Sequence, residues 1–398
     1  MSPMVPRHPR VVLAAICVVA AAVLPGTAAG SAGTVEVVLA HAAFPTNLAL
    51  APDGRLFFTE KETGLVRVIG ADGVLRGEPF ASVAVDGGAE SGLLGIALHP
   101  RFDEGEPWVY LYRSDPETGM NEILRVRAGD DRAVGAFELL LRTVPATNGY
   151  HNGGDLLFGP DGMLYVSVGE AHEAERAQDP EDLGGKVLRV TPEGAPAPGN
   201  PLGDGSPVFT FGHRNSFGLC ADPATGDIWE TENGPDRDDE VNVLVPGANY
   251  GWPEVTGDSD GRFQDPLGTF PQTVALTGCA WWRGALYVGS YNDGIVRRIL
   301  SDGRRQDIAT MPAGVTDLQA GADGRLYVAT AVAIVALADP AATVTLAPTP
   351  TPTPTPAPEA PGSVRARGGW VALIAAVAIA GALIVRVRAT RRARAETR

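Results

Sequence analysis

Two short polar segments carry side chains whose types suit catalysis or ion binding. The first is YHNGG at residues 150–154, and the second covers residues 209–252. The longer segment contains an Arg–Asn pair, a Gly–Pro turn and five acids within nine residues. Neither segment is needed to build an apolar core, so together they indicate a functional site.

His151 is the candidate general base of this site. A neutral imidazole has a reference pKa of about 6.5, so it can remove a proton from an alcohol near neutral pH. Glu170 follows nineteen residues later, and its carboxylate could orient the ring and favour its protonated form. Gly153 and Gly154 lack a Cβ and would allow a ligand to approach the backbone closely. A histidine that only caps a turn is the alternative.

Arg214 and Asn215 offer hydrogen-bond donors to an anionic or carbonyl-rich ligand. The alternative is a structural arginine bonded to loop carbonyls.

The acidic run after the Gly234–Pro235 turn is a candidate calcium site. Calcium takes six to eight oxygen ligands, often carboxylates mixed with backbone carbonyls. The turn could present carbonyls, and Tyr250 could add another oxygen. The spacing is not that of an EF-hand, and a solvated acidic loop is the alternative. The acids of the run are Asp236, Asp238, Asp239 and Glu240.

Six similar segments recur between residues 52 and 330, each a turn followed by a short apolar strand. Their starts lie 39 to 65 residues apart, which suits one four-stranded propeller blade per repeat. Asp-Gly before an apolar run predicts a hairpin, and no long stretch has a helical apolar period. We therefore predict an all-β, six-bladed β-propeller over residues 31–340, with a pair of β-sandwiches as the alternative. The segments are 52–60, 106–114, 160–168, 225–233, 283–291 and 322–330.

The two ends of the chain predict export and membrane attachment. Residues 1–30 have the basic start, apolar run and small residues of a signal peptide. Residues 341–368 form a Pro/Thr-rich linker, which should be an extended spacer. Residues 369–385 predict a single transmembrane helix near the short limit for a span, and the basic tail 386–398 should be cytoplasmic. The expected location is the cell membrane, single-pass, with an extracytoplasmic propeller; a core helix is the alternative for the apolar run.

The net charge bears on which partners the protein can bind, and the cysteine content bears on disulfide formation. The formal net charge is −15, and removing +2 for residues 1–30 and +6 for residues 341–398 leaves −23 for residues 31–340. So acidic a domain would repel nucleic-acid phosphates but is compatible with cations. In an oxidising compartment Cys220 and Cys279 are expected to pair, with two free thiols as the alternative.

Taken in order, these segments resemble the glucose/sorbosone dehydrogenase family, the aldose sugar dehydrogenases dependent on pyrroloquinoline quinone (PQQ). The combination of GHRN with GP-x4-E-x9-YGW is the specific part, and the match spans residues 46–330. The matching pieces include ESGLLGIALHPRFD (90–103), HNGGDLLFGPDGMLYVSVGE (151–170), LGGKVLRV (183–190), FGHRNSFGL (211–219) and ENGPDRDDEVNVLVPGANYGWP (232–253).

The resemblance implies a six-bladed propeller that uses PQQ and Ca²⁺ to oxidise the anomeric hydroxyl of aldoses to lactones. His151 matches the general base that removes the hydroxyl proton while hydride passes to the quinone. Glu170 falls where the family has an Asp paired with that His. Arg214 and Asn215 match residues near the quinone oxygens, and Glu90 falls where members carry Gln or Glu against the cofactor.

The resemblance also implies two calcium sites. The carbonyls of Gly234 and Pro235 match ligands of the calcium beside the cofactor. Glu240 and Tyr250 match a second site, and we group the neighbouring Asp239 with these metal ligands.

One departure concerns the cofactor's carboxylates. Gly314 and Thr316 stand where two arginines are expected, and Arg283, Arg297 or Arg298 are candidates to replace them. The sugar substrate and a respiratory electron acceptor are the expected partners, beside the membrane. The alternatives are a non-enzymatic surface propeller that binds carbohydrate or protein, and a calcium-dependent lactonase.

Overall fold

The computed structural model describes residues 35–146 and 148–338, together with the two-residue strand Val344–Thr345. Strands in this part of the chain form six sheets, and one short 3-10 helix, Ala174–Gln178, is also present. None of the helices described there is long and apolar enough to cross a membrane. The predicted signal peptide, transmembrane helix and basic tail lie outside these residues, as does the linker apart from Val344–Thr345.

The six sheets are the blades of a propeller, and all but one strand pairing is antiparallel. The first described strand, β1 (Val35–Leu39), belongs to the last blade. Blade 1 contains β2 (Pro45–Leu50), β3 (Leu56–Glu60), β4 (Leu65–Ile69) and β5 (Ala81–Ser82). Blade 2 contains β6 (Leu93–Leu98), β7 (Trp108–Ser114), β8 (Met120–Ala128) and β9 (Ala133–Pro145). Blade 3 contains β10 (Leu156–Phe158), β11 (Leu164–Val168), β12 (Lys186–Val190) and β13 (Val208–Phe211).

The remaining blades follow the same order. Blade 4 contains β14 (Ser216–Ala221), β15 (Ile228–Glu232), β16 (Asp239–Val243) and β17 (Gly268–Phe270). Blade 5 contains β18 (Leu276–Trp282), β19 (Ala285–Ser290), β20 (Ile295–Ile299) and β21 (Arg305–Thr310), and β25 (Val344–Thr345) adds a parallel fifth strand. Blade 6 contains β22 (Val315–Ala320), β23 (Leu326–Thr330), β24 (Ile334–Leu337) and β1. The prediction of a six-bladed all-β propeller is confirmed.

The six sequence repeats are the second strands of the six blades. In blade 1 the Asp53–Gly54 turn leads into β3, and Gly54 has a φ of +88°, a conformation that costs glycine little. Phe57 and Phe58 of β3 are both fully buried, but they point to opposite faces of the sheet. Phe57 packs in a core shared with blade 2, whereas Phe58 packs in a core shared with blade 6. Each repeat therefore supplies apolar side chains to two inter-blade cores.

Two links tie the blades together. The strand β1 pairs with β24, with Val35 opposite Leu337, so the first and last described blades share a closed ring. Cys220 of β14 and Cys279 of β18 form a disulfide between blades 4 and 5, which confirms the predicted pairing.

Buried polar side chains join the inner strands around the central axis. Asn47 of β2 donates to Asp155 Oδ1 (3.0 Å) and accepts from the Ile96 amide of β6 (2.9 Å). Asp155 Oδ2 accepts from the Leu219 amide of β14 (2.6 Å). Asp317 of β22 accepts from the Leu48 amide (2.8 Å). Three side chains thus connect the inner edges of five blades.

The axial carboxyl of Asp155 makes the stability of the fold depend on pH. Burial raises the pKa of Asp155 to about 6, above a reference of about 3.9. The folded chain therefore binds this proton more tightly, and the contribution to stability is lost as the pH rises from about 4 through about 6. We expect the advantage of the wild type over Asp155→Asn in free energy of unfolding to shrink between pH 4 and pH 7. Urea unfolding across this range, with the exposed-site variant Asp103→Asn as control, tests it. A constant or growing advantage would contradict it.

Candidate functional site

Loops from several blades meet at a cavity of about 430 Å³, a volume within the usual range for small-molecule sites. Of the site residues predicted from the sequence, five line it: Glu90, His151, Arg214, Asn215 and Gly234. The structure therefore brings together residues that are up to about 140 positions apart in sequence.

His151 and Glu170 form a buried pair beside this cavity. The His151 Nδ1 atom lies 2.6 Å from Glu170 Oε1, and the two side chains are 8% and 2% exposed. Because Nδ1 faces a carboxylate, it carries the proton, and Nε2 keeps the lone pair that a general base needs. His151 has a φ of +54°, and its amide donates to Glu90 Oε2 (2.8 Å). An uncommon backbone conformation is thus held at the position of the candidate base.

The glycines beside His151 serve backbone packing rather than ligand approach, which corrects the expectation for Gly153 and Gly154. A Cβ on Gly153 would lie 2.7 Å from the Gly169 amide nitrogen, and one on Gly154 would lie 2.8 Å from Leu94. Similarly, a Cβ on Gly169 would lie 2.2 Å from the His151 carbonyl oxygen. The loop can therefore approach the end of β11 closely enough for His151 to meet Glu170.

Arg214 and Asn215 lie between β13 and β14. Asn215 Nδ2 donates to Glu90 Oε2 (3.3 Å), and Asn215 Oδ1 accepts from the Gly153 amide (3.3 Å). The Arg214 guanidinium donates to the carbonyls of Asn233 (2.9 Å) and Gly234 (3.1 Å). Burial lowers the pKa of Arg214. These contacts match the alternative considered from the sequence, in which the arginine is bonded to loop carbonyls. The Arg214 side chain nevertheless lines the cavity.

A buried cluster under Arg214 was missed by the sequence analysis. His213 Nδ1 lies 3.0 Å from Glu232 and 3.2 Å from Glu230, and Nε2 contacts Thr210. Burial lowers the pKa of His213, but the two glutamates outweigh burial and raise it to about 10. Glu232 also accepts from the Arg214 amide. The signal was present as Glu230 and Glu232, which are two residues apart and share one face of a strand.

A second, very small cavity lies beside the Gly234 turn. Its volume is about 10 Å³, room for roughly one water or ion, and Gly234, Asp238, Glu240 and Tyr250 are among its lining residues. Glu240 accepts from the Gly257 amide (2.6 Å), and burial followed by the charge of Glu232 raises its pKa to about 8. The Tyr250 hydroxyl donates to the Val243 carbonyl and accepts from the Val245 amide.

Asp239 and Pro235, the other two predicted metal ligands, are placed differently. Asp239 accepts from the amides of Gly234, Val274 and Ala275 at 2.8–2.9 Å, so its carboxylate shapes the turn. Pro235 is exposed, and Gly234 is required because a Cβ there would lie 1.9 Å from the Arg237 carbonyl.

Four further residues at or beside the cavity were not predicted: Lys61, Phe44 and Tyr291 line it, and His172 contacts His151. His172 places its Nε2 atom 3.1 Å from His151 Nε2. Lys61 lines the cavity, is 6% exposed, and donates from Nζ to the Gly87 carbonyl (2.9 Å). Burial lowers the pKa of Lys61. Phe44 and Tyr291, stacked at 6.1 Å, add an aromatic wall. A lone lysine or histidine gives no sequence signal of this kind, because only folding places it at a cavity.

The three arginines considered as replacements do not line the cavity. Arg283 donates to the carbonyls of Gly324 and Ala338, and Arg297 pairs with Asp293 and Asp307. Arg298 borders a separate surface cleft.

The two positions that lack the expected arginines are both near the cavity. Thr316 lines it, whereas a Cβ on Gly314 would meet the Tyr291 ring. Among the described residues that line the cavity, the lysine and arginine side chains are those of Lys61 and Arg214.

Comparison with known proteins decides the family. The family model described as glucose/sorbosone dehydrogenase matches residues 42–336. The chain belongs to this family. The family was thus correctly identified from the sequence, on segments that lie almost entirely within the matched range.

Named relatives agree with this membership. The aldose sugar dehydrogenase YliI of Escherichia coli (strain K12) is 28% identical over 338 residues, which cover 76% of this chain and 91% of the relative. Quinoprotein glucose dehydrogenase B of Acinetobacter calcoaceticus is 31% identical over 258 residues, covering 56% and 53%. The PQQ-bound aldose sugar dehydrogenase of Streptomyces coelicolor is 32% identical, with a TM-score of 0.68 over 78% of this chain and 99% of that one.

Proposed function

We propose that this member of the glucose/sorbosone dehydrogenase family oxidises the anomeric hydroxyl of an aldose to a lactone, with PQQ and calcium as cofactors. The observation that carries the proposal is the buried Glu170–His151 pair, which borders the same cavity as Arg214 and Asn215. A base oriented by a carboxylate beside donors suited to quinone oxygens fits oxidation of an alcohol.

The cavity fits a flat, polar cofactor with several carboxylates. Arg214 and Asn215 can donate to its oxygens, and Lys61 supplies a second positive charge. Asn233 Oδ1 and Thr316 Oγ1 are buried without a hydrogen-bond partner in the described part of the chain, and both residues line the cavity. Buried polar atoms of this kind are usually satisfied, so a polar ligand would complete them. PQQ, when bound, would supply the acceptor for the hydride.

His151 would act on the substrate through Nε2. Glu170 holds Nδ1–H, so Nε2 is free to take the hydroxyl proton. The same carboxylate would then stabilise the imidazolium, since it lies against the opposite ring nitrogen. His151 would have to be within hydrogen-bond reach of the anomeric hydroxyl, which is consistent with its place at the cavity wall.

Calcium would bind at the Gly234 turn and at the small cavity. We propose the carbonyls of Gly234 and Pro235 as ligands beside the cofactor, and the Glu240 carboxylate with the Tyr250 backbone carbonyl as ligands of a second ion. Asp239 then supports the turn through its hydrogen bonds with amides. At the Gly234 carbonyl, calcium would compete with the Arg214 guanidinium, because both are cations.

We also propose that the protein is exported and held at the cell membrane, with its propeller extracytoplasmic. The signal-peptide pattern of residues 1–30 and the apolar run 369–385 with its basic flank support this location. A membrane anchor would keep the enzyme near a respiratory electron acceptor.

His151→Ala tests the assignment of the base. The variant should lose sugar-dependent dye reduction by at least about 100-fold, in the range expected for general base catalysis, and keep PQQ binding within a few-fold. Fluorescence titration and a dye-reduction assay on an aldose panel measure the two effects. Unchanged turnover would reject the base. Lactone hydrolysis without any electron acceptor would instead favour a lactonase, and neither activity would favour a binding protein.

Lys61→Gln tests the positive charge at the cavity. Losing a charge-assisted hydrogen bond of roughly 1.5–3 kcal/mol should weaken PQQ binding by about 10- to 100-fold. Arg283→Gln, which removes a cation outside the cavity, should leave the dissociation constant unchanged. Equal effects of the two variants would exclude a specific role for Lys61.

Removing calcium should lower both the melting temperature and the affinity for PQQ, because a ligand bound only to the folded chain stabilises it. Glu240→Gln should show a smaller loss of melting temperature on chelation than the wild type. Thermal melts with EDTA, and with calcium added back, measure this. If EDTA leaves the melting temperature of the wild type unchanged, the calcium proposal is wrong.

A further inference from the structure

We propose that His172 carries the proton from His151 to solvent after each oxidation. The inference rests on the proposed function and adds a residue to it. The observation behind it is the 3.1 Å separation of the two Nε2 atoms. The rings meet edge-on, with centroids 4.1 Å apart and planes at 87°.

The need for a carrier follows from burial of the base. Each sugar oxidation would leave one proton on His151 Nε2, and the base must lose it before the next turnover. His151 is only 6% exposed, and its Nδ1 atom is already held by Glu170. His172, in contrast, is exposed. It therefore bridges the buried base and the water outside.

The transfer balances without any further reactant. In the resting contact His172 donates its Nε2 proton to His151 Nε2, because His151 carries its own proton on Nδ1. When the His172 ring leaves for the substrate, exchange with water moves this proton to Nδ1, and the returning ring offers a lone pair on Nε2. The His151 imidazolium passes its Nε2 proton to this lone pair, while His172 keeps its own proton on Nδ1. His151 becomes neutral again with Nδ1–H still donated to Glu170. The His172 imidazolium then turns outward and releases the Nε2 proton to water or to a buffer base. No electron moves in these steps.

The contact between His172 and His151 also affects substrate binding. The substrate hydroxyl must reach the His151 Nε2 atom that His172 contacts in this structure. Substrate and His172 therefore exclude one another at this atom. An exposed ring can leave and return, so proton removal and substrate binding would alternate.

Local structure presents the His172 ring to the base. Tyr150 stacks on it with centroids 5.3 Å apart and planes at 8°. Ala171 and His172 have φ values of +56° and +58°, uncommon for residues with a Cβ and typical of functional positions. Asn148 donates to the Ala171 carbonyl and secures this turn.

The surroundings of His172 favour a neutral ring at rest. Burial against the loop, followed by the charge of His151, lowers the pKa of His172. Arg214 acts in the same direction, whereas Glu170 and Glu90 act in the opposite one. A lowered pKa also speeds release of the proton to water once it has been carried outward.

The test is His172→Ala with an external proton carrier. At low buffer concentration and saturating sugar, kcat should fall by about 10-fold or more, and added imidazole should restore it in a saturable manner. The value of kcat/KM should change less, because substrate no longer competes with the ring. His41→Ala, which removes an exposed histidine, should behave as the wild type. A fall in kcat that neither imidazole nor buffer restores, or no fall at all, would overturn the proposal.

A readout without turnover separates this proposal from the proposed function. In ¹⁵N NMR of the cofactor-free protein, His172→Ala should shift the resonance of His151 Nε2, the atom that His172 contacts. The ring resonances of His213, which is buried in a separate cluster, should stay unchanged. An unchanged His151 Nε2 resonance would overturn the relay even if the enzyme is active. A wild type that neither binds PQQ nor oxidises sugars, yet shows this shift, would reject the function and not the contact.

Discussion

The structure depends on hydrogen bonds that join the inner strands of different blades around the axis. Asn47, Asp155 and Asp317 are buried polar residues, and their partners are mostly backbone amides of other blades. Each contact joins residues far apart in sequence, so the ring forms only when the blades are already arranged. Because burial disfavours a free carboxylate, these bonds matter more than they would at the surface.

Buried carboxylates also hold the candidate site together. Glu90 from the segment before β6 holds the His151 amide and the Asn215 side chain. Glu170 orients the His151 ring, and its own amide donates to the Arg214 carbonyl. Three carboxylates, including Glu232 under Arg214, thus position His151, Arg214 and Asn215 through backbone and side-chain contacts. Some of the acidic residues of the domain therefore serve internal positioning.

Sequence patterns correctly predicted the structural features that depend on residues close together in the chain. The turns of the six repeats, three of which contain Asp-Gly, marked the second strand of each blade, because a hairpin needs only neighbouring residues. Family motifs marked His151, Arg214 and Glu240, which the propeller brings to two cavities. They also marked Glu170, which contacts His151. Other expectations failed where a contact with a distant segment decides the role. Gly153 and Gly154 make room for the protein's own chain rather than a ligand, and Arg283 and Arg297 are engaged elsewhere.

By itself the sequence determined the class of fold, the number of blades and the family, because repeats and motifs are patterns of nearby residues. Only the tertiary structure decided which further side chains lie at the cavity or against the residues that line it. Lys61 of blade 1 lines the cavity, and His172 of blade 3 contacts His151. Neither has a neighbour in sequence that marks it, because these contacts exist only after the ring of blades has closed.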